Sequence, residues 1–129
     1  MFKYWYTKES SLSFPEALEK IKEELSKKWF SVLWEMDVKS KIKEKLGKDF
    51  GNYTILWACN APIAFNVLSQ EIESWLLLPC NVVVFENWWK TSVWFLKPSA
   101  ILWLTENTEI AKIASDAEII LNQVFDNIN

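Results

Sequence analysis

Arginine and histidine are both absent from this sequence. Its positive charge rests on 14 lysines against 17 acidic residues, a net charge of −3. Without arginine there is no planar fork to grip phosphate or a guanine edge, so nucleic acid is not an expected partner. Without histidine there is no imidazole for a Ser-His or Cys-His dyad, for zinc ligation or for acid–base work near neutral pH. No apolar run approaches the roughly 18 residues of a membrane span. Met1-Phe-Lys-Tyr-Trp-Tyr lacks the apolar stretch and cleavage site of a signal peptide. The expected setting is the cytoplasm, with no membrane partner. Lys39-Ser-Lys-Ile-Lys-Glu-Lys reads as a solvated helix face, not a phosphate track.

Glycine is scarce as well, with two residues beside nine tryptophans. Several tryptophans stand where glycine is wanted. Asn87-Trp88-Trp89-Lys90 joins two strand-like runs, and a two-residue hairpin turn needs positive φ at its centre. A bulky side chain there costs about 1–2 kcal/mol. Trp29 follows a helix ending Ser26-Lys27-Lys28, at the usual place of a glycine C-cap. Glycine at 29, 57, 75, 88, 89, 94 and 103 makes the punctuation conventional. We therefore expect a gene that uses UGA for glycine, with those codons written here as Trp29, Trp57, Trp75, Trp88, Trp89, Trp94 and Trp103.

What is present reads as a single domain over residues 1–129. Phe2 to Tyr6 alternates as a short strand, and Glu9 to Ser13 follows as a loop. Ser13-Phe-Pro15-Glu16 is a capping box opening a helix to about Lys28, with Phe14, Leu18, Ile21 and Leu25 at helical spacing. Phe30, Val32, Trp34, Met36 and Val38 alternate as one apolar strand face, which leaves Glu35 and Asp37 on the opposite, solvated face. Asp37 caps a short helix that Gly47 ends. Tyr53 to Cys59 is a strand, and Asn60 caps a helix beginning Ala61-Pro62. Strands at Cys80–Glu86 and Thr91–Leu96 form the hairpin. Ser99 to Leu104 makes one helical turn. Residues 107–127 form a long amphipathic helix through Ile110, Ile113, Ala114, Ala117, Ile120, Leu121, Val124 and Phe125. The fold class is α+β: a mostly antiparallel curved sheet with helices packed on one face.

Phe30-Ser-Val-Leu-Trp-Glu-Met-Asp37-Val, Leu46-Gly47, Ile55-Leu-Trp-Ala-Cys59-Asn60 and Leu76-Leu-Leu-Pro79-Cys80-Asn81-Val-Val-Val together resemble the bacterial family called domain of unknown function 302. The resemblance spans nearly the whole chain and rests on the paired Cys-Asn motifs. The family's usual glycines fall at Trp29, Trp57 and Trp75. One departure is Ala61, where the family commonly has proline; here Pro62 follows. The resemblance implies a small α+β fold with a TATA-binding-protein-like outline, often dimeric, and no established activity or cofactor.

Two cysteines supply the only candidate chemistry. Cys59 ends a strand before a helix N-terminus, where the macrodipole favours a thiolate. Cys80 opens the next strand. An antiparallel pairing puts both at one sheet edge, and a parallel pairing separates them. Two thiolates are too few for a closed zinc site. Asn60 reads as a helix cap, while Asn81 either anchors a turn or orients a ligand. Two functions stay open. One is a non-catalytic, homodimeric binding or assembly domain with packing cysteines and a pocket for a small apolar ligand between the sheet and the C-terminal helix. The other is a thiol module in which Cys59 and Cys80, supported by Asn60, Asn81 and Pro79, handle a soft metal ion, redox equivalents or sulfur.

Overall fold

The computed structural model describes residues 4–77 and 80–129. The sequence readings at Phe2, Leu78 and Pro79 lie outside the described residues. Five strands form one antiparallel sheet, with β1 (Trp5–Ser10) and β2 (Phe30–Asp37) at its edges. Between them lie β5 (Lys90–Leu96), β4 (Cys80–Asn87) and β3 (Tyr53–Asn60), giving the order β1-β5-β4-β3-β2. The α+β expectation is met: the sheet is open and wholly antiparallel, with its main helices on one face.

Side chains alternate across a strand, so the registers sort the sheet into two faces. Leu56, Ala58, Val82, Val84, Val93 and Phe95 point to one side and are buried. They pack against Ala17, Ile21 and Leu25 of helix α1 (Phe14–Lys27), and against Leu121, Val124 and Phe125 of helix α5 (Thr108–Asp126). Each such aliphatic side chain contributes about 1.5–3 kcal/mol by leaving water. A smaller core joins Val67 of α3 (Ala61–Gln70), Leu102 of α4 (Pro98–Leu102), and Ile110 and Ala114 of α5. The short helix α2 (Val38–Leu46) buries no residue.

Local chemistry sets the element ends. Ser13 Oγ accepts from the Glu16 amide while the Glu16 carboxylate accepts from the Ser13 amide, completing the capping box. Asp37 caps α2 through the Ser40 amide, and Gly47 closes it with φ 66°. Asn107 accepts from the Glu109 and Ile110 amides at the start of α5.

Two sequence readings need correction. The first strand runs from Trp5 to Ser10, taking in Lys8-Glu9-Ser10, because backbone pairing with Thr91 to Leu96 extends it past the aromatic stretch. The second concerns β2. A bulge between Val32 and Trp34 inverts the alternation. Phe30 and Val32 pack on the core, whereas Trp34 and Met36 pair with Trp57 and Ile55 on the other face. Glu35 thereby turns toward α1, where its carboxylate meets Lys22 at 2.8 Å.

Trp29 (φ 69°) and Trp88 (φ 62°) both occupy the left-handed region, with 80% and 85% of their surface exposed. Glu106 also adopts it (φ 59°), whereas Trp89 does not. In the hairpin the positive φ therefore falls on the first central residue, as in a II′ turn. Both indoles are largely exposed, so burial offsets little of the steric cost. Trp29→Gly and Trp88→Gly are each expected to stabilise the chain by about 1 kcal/mol. Ser13→Ala is expected to cost about 1 kcal/mol through the lost cap. All three would be read from urea unfolding midpoints at unchanged slope.

Candidate functional site

Strand β3 delivers Cys59 to the rim of the sheet and runs directly into α3. β4 pairs with β3 antiparallel, placing Cys80 opposite Ala58, one step from Cys59. The antiparallel alternative is therefore the one realised, and both cysteines lie at one edge. Both are free and partly buried. Together with Phe30, Ala58, Asn60, Ala64, Pro98 and Ala117 they line a cleft of about 20 Å³.

That volume holds about one water molecule. It is also what remains of the expected apolar pocket between the sheet and α5. Val84, Val93, Phe95, Leu121, Val124 and Phe125 fill the rest of that space, so among the described residues this cleft is too small for an apolar ligand.

The thiols are poorly disposed to ionise. Burial raises the pKa of Cys59, and burial followed by the neighbouring Cys59 charge pushes Cys80 up to about 12. The helix N-terminus does not reverse this. Asn60, the residue between Cys59 and α3, turns its own Oδ1 onto the Ile63 amide at 3.2 Å, taking one of the donors the dipole argument relied on. Its Nδ2 donates to the Lys28 carbonyl at 3.4 Å, tying the end of α1 to the start of α3. Asn60 is thus a cap, as its sequence position indicated, and in addition a cross-brace. Among the described residues no group of three or more His, Cys, Asp or Glu is placed to hold a metal ion.

Asn81 lies elsewhere. It is exposed, faces away from the helices and pairs across the ladder with Trp57. The same face carries Met36, Tyr53, Ile55, Val83, Phe85, Leu96 and Trp5, and none of these belongs to either core cluster. Rings run across it in sequence: Trp5 stacks on Trp94 at 5.8 Å, Trp94 meets Phe85 at 5.2 Å, and Phe85 stacks on Tyr53 at 5.5 Å. Its charges sit at one end, where Lys90 and Glu9 neutralise each other at 3.2 Å. Sequence reasoning missed this face. The signal was there in Tyr53, Ile55 and Trp57, which alternate with the equally apolar Leu56 and Ala58.

An open antiparallel sheet with helices on one face, an aromatic opposite face and two cysteines at one end of adjacent strands defines a small α+β fold. A family model described as "Domain of unknown function DUF302" matches residues 6–128. The chain belongs to that family. It is also similar to a solved structure, the crystal structure of an uncharacterized conserved protein DUF302 from Bacillus stearothermophilus. Identity is 30% over 99% of this chain and 100% of the other, with a TM-score of 0.93. No curated protein matches the chain. Among the described residues no helix is long and apolar enough to cross a membrane.

The raised thiol pKa has a consequence for stability. In an unfolded chain a thiol ionises near pH 8.5, whereas Cys80 keeps its proton to about 12. As pH rises through that window the unfolded state loses the proton first, so folding stability falls. Below pH 8 this contribution is constant. Cys80→Ala is expected to show a shallower loss of stability between about pH 8.5 and 11 than the parent chain. Urea midpoints taken across that range decide it; equal slopes would remove the assignment.

Proposed function

We propose that the chain is a non-catalytic cytoplasmic assembly and binding domain that works as a homodimer closed through the open face of its sheet. The observation that supports this is a largely apolar, aromatic five-stranded surface whose Lys90–Glu9 charges lie at one end, the layout of a protein interface. Two free, unpaired thiols agree with a reducing compartment.

A second copy suits that face better than other occupants. A twisted sheet packs best on another sheet of the same twist, and a two-fold axis supplies one identical in shape. Five strands at about 4.8 Å spacing and about 20 Å length present roughly 500 Å² in projection. Two such faces bury about 1,000 Å² or more, the lower bound for a specific interface.

The parent chain is expected to sediment at twice its monomer mass at micromolar concentration. Val83→Lys or Phe85→Glu, which place a charge in the centre of the face, should shift it to monomer with the circular dichroism spectrum kept. A parent chain that is monomeric at 100 μM would sink the reading.

We also propose that Trp29, Trp57, Trp75, Trp88, Trp89, Trp94 and Trp103 are glycine in the protein as the cell makes it, through UGA read as glycine. Tryptophan is among the most buried residue types on average. Here eight of nine are exposed, and the ninth, Trp5, is only partly buried. The positive φ at Trp29 and Trp88 supports the same reading. So does Trp34, whose ring lies 4.9 Å from that of Trp57 on the paired strand, placed to cover a strand glycine as cross-strand aromatics do. The intact mass of protein from its native host is expected to fall short by one indolylmethyl group at each position. UGG codons at these sites would end the argument.

A further inference from the structure

Strand β3 is about 25 Å long and has a helix at each end. α2 precedes it at Tyr53, and α3 leaves it at Asn60, followed by the 3-10 turn Ile72–Leu76. The two ends differ in charge. α2 and the residues just after it supply Lys39, Lys41, Lys43, Lys45 and Lys48. Ion pairs within this end, Lys41–Glu44 and Lys43–Asp49, leave Lys45 and Lys48 with no carboxylate partner among the described residues. No lysine occurs between Lys48 and Lys90, and the α3 end carries Glu71 and Glu73. These carboxylates stand at the C-terminus of α3, where the helix dipole is negative as well.

Both ends also expose apolar side chains that neither core uses. On α2, Val38, Ile42 and Leu46 recur at i, i+4 as one stripe, with Lys41 and Lys45 along one side of it and Lys39 and Lys43 along the other. The helix buries none of them, and Leu46 is 65% exposed. At the other end Phe65 is 69%, Ile72 79% and Leu76 88% exposed. Within the 3-10 turn Ser74 is buried, while Ile72, Glu73 and Leu76 face water.

We propose that α2 of one copy docks on the α3 C-terminus and 3-10 turn of a second copy. Leu46 then meets Ile72 and Leu76, and Lys41 and Lys45 face Glu71 and Glu73. A second copy is the occupant because this chain carries both halves of the match, and the length of β3 keeps them from meeting within one molecule. Apart, each half leaves apolar surface in water beside charge of one sign; together, both are relieved. The two patches differ, so the contact runs head to tail and repeats along a row instead of closing on itself. It uses neither the open face nor any of the seven tryptophan positions, and it holds whichever residue stands at them. Each patch is small, which makes the contact weak and sensitive to salt.

The test is sedimentation equilibrium of the full-length chain from about 0.05 to about 1 mM, at low salt and in about 0.5 M sodium chloride. Expected at low salt is a mass that climbs with concentration past the plateau reached at micromolar protein, with a return to that plateau at high salt. Lys41→Glu with Lys45→Glu, and separately Glu71→Lys with Glu73→Lys, should each move the climb to at least tenfold higher concentration with the circular dichroism spectrum kept. Mixing the two variants should restore it, since each retains the half that the other has lost. Methyl NMR shifts in the mixture are expected at Leu46, Ile72 and Leu76. A constant mass across the range at low salt overturns the contact. So does a climb that either charge reversal leaves unchanged, a mixture that restores nothing, or shifts confined to other methyls. The mass of the plateau itself, one copy or two, judges only the open-face dimer, so the two readings fail separately.

Discussion

Everything in this fold depends on covering one face of a five-stranded sheet with α1 and α5. Val82, Val84, Val93, Phe95 and Leu56 present a flat apolar surface, and Ile21, Leu25, Leu121 and Val124 fill it without leaving space for more than about one water nearby. The contact fixes strand register as well as stability. A slip of one residue in β4 would send Val82 and Val84 outward and put Asn81 and Val83 against the helices. Because β4 is apolar at four successive positions from Val82 to Phe85, hydrophobicity alone does not resist that slip. Asn81 at one end and the Asn87–Lys90 turn pairing at the other supply the missing restraint.

The bulge at Val32/Trp34 shows how one extra residue redistributes chemistry. Before it, β2 serves the core through Phe30 and Val32. After it, β2 serves the open face through Trp34 and Met36, and Glu35 is turned to pair with Lys22. With a regular strand, Trp34 would compete for space beneath α1. The bulge thus lets an edge strand belong to both faces, and it bends the edge out of register for a further strand, a familiar guard against open-ended pairing.

Features governed by local chemistry were legible before the fold was known. The Ser13 capping box, the Asp37 and Asn60 caps, the Gly47 stop, the wide stripe of α5 and the β4–β5 hairpin all follow from side chains within a few residues of each other. Features governed by distant partners were not. The Val32-Leu33-Trp34 run has no residue that marks a bulge. Lys8-Glu9-Ser10 joins β1 only because β5 lies beside it. The direction of β3 against β4 depends on how the intervening helix and 3-10 turn at Ile72–Leu76 reverse the chain. Of the candidate site, the edge position shared by Cys59 and Cys80 was one of two stated outcomes, and the bracing role of Asn60 was half visible. Its second bond, to the Lys28 carbonyl, spans 32 residues.

The two faces also decide where chemistry has room to occur. On the covered side burial keeps Cys80 protonated beside a cleft that admits about one water molecule, and partial burial raises Cys59 on the alternate face of β3 as well. A nucleophile there would lack a base, since no histidine exists in the chain and the carboxylate nearest the core, Glu24, is held by Lys20 and Lys27. Burial of the ionised form would therefore have to be compensated by a partner that the covered face does not offer. The open side has the reverse character: broad, aromatic, uncharged at its centre and reachable. Recognition through shape and ring stacking needs those properties and requires no shifted titration, so the face that the helices leave bare is the one on which a binding function can be built.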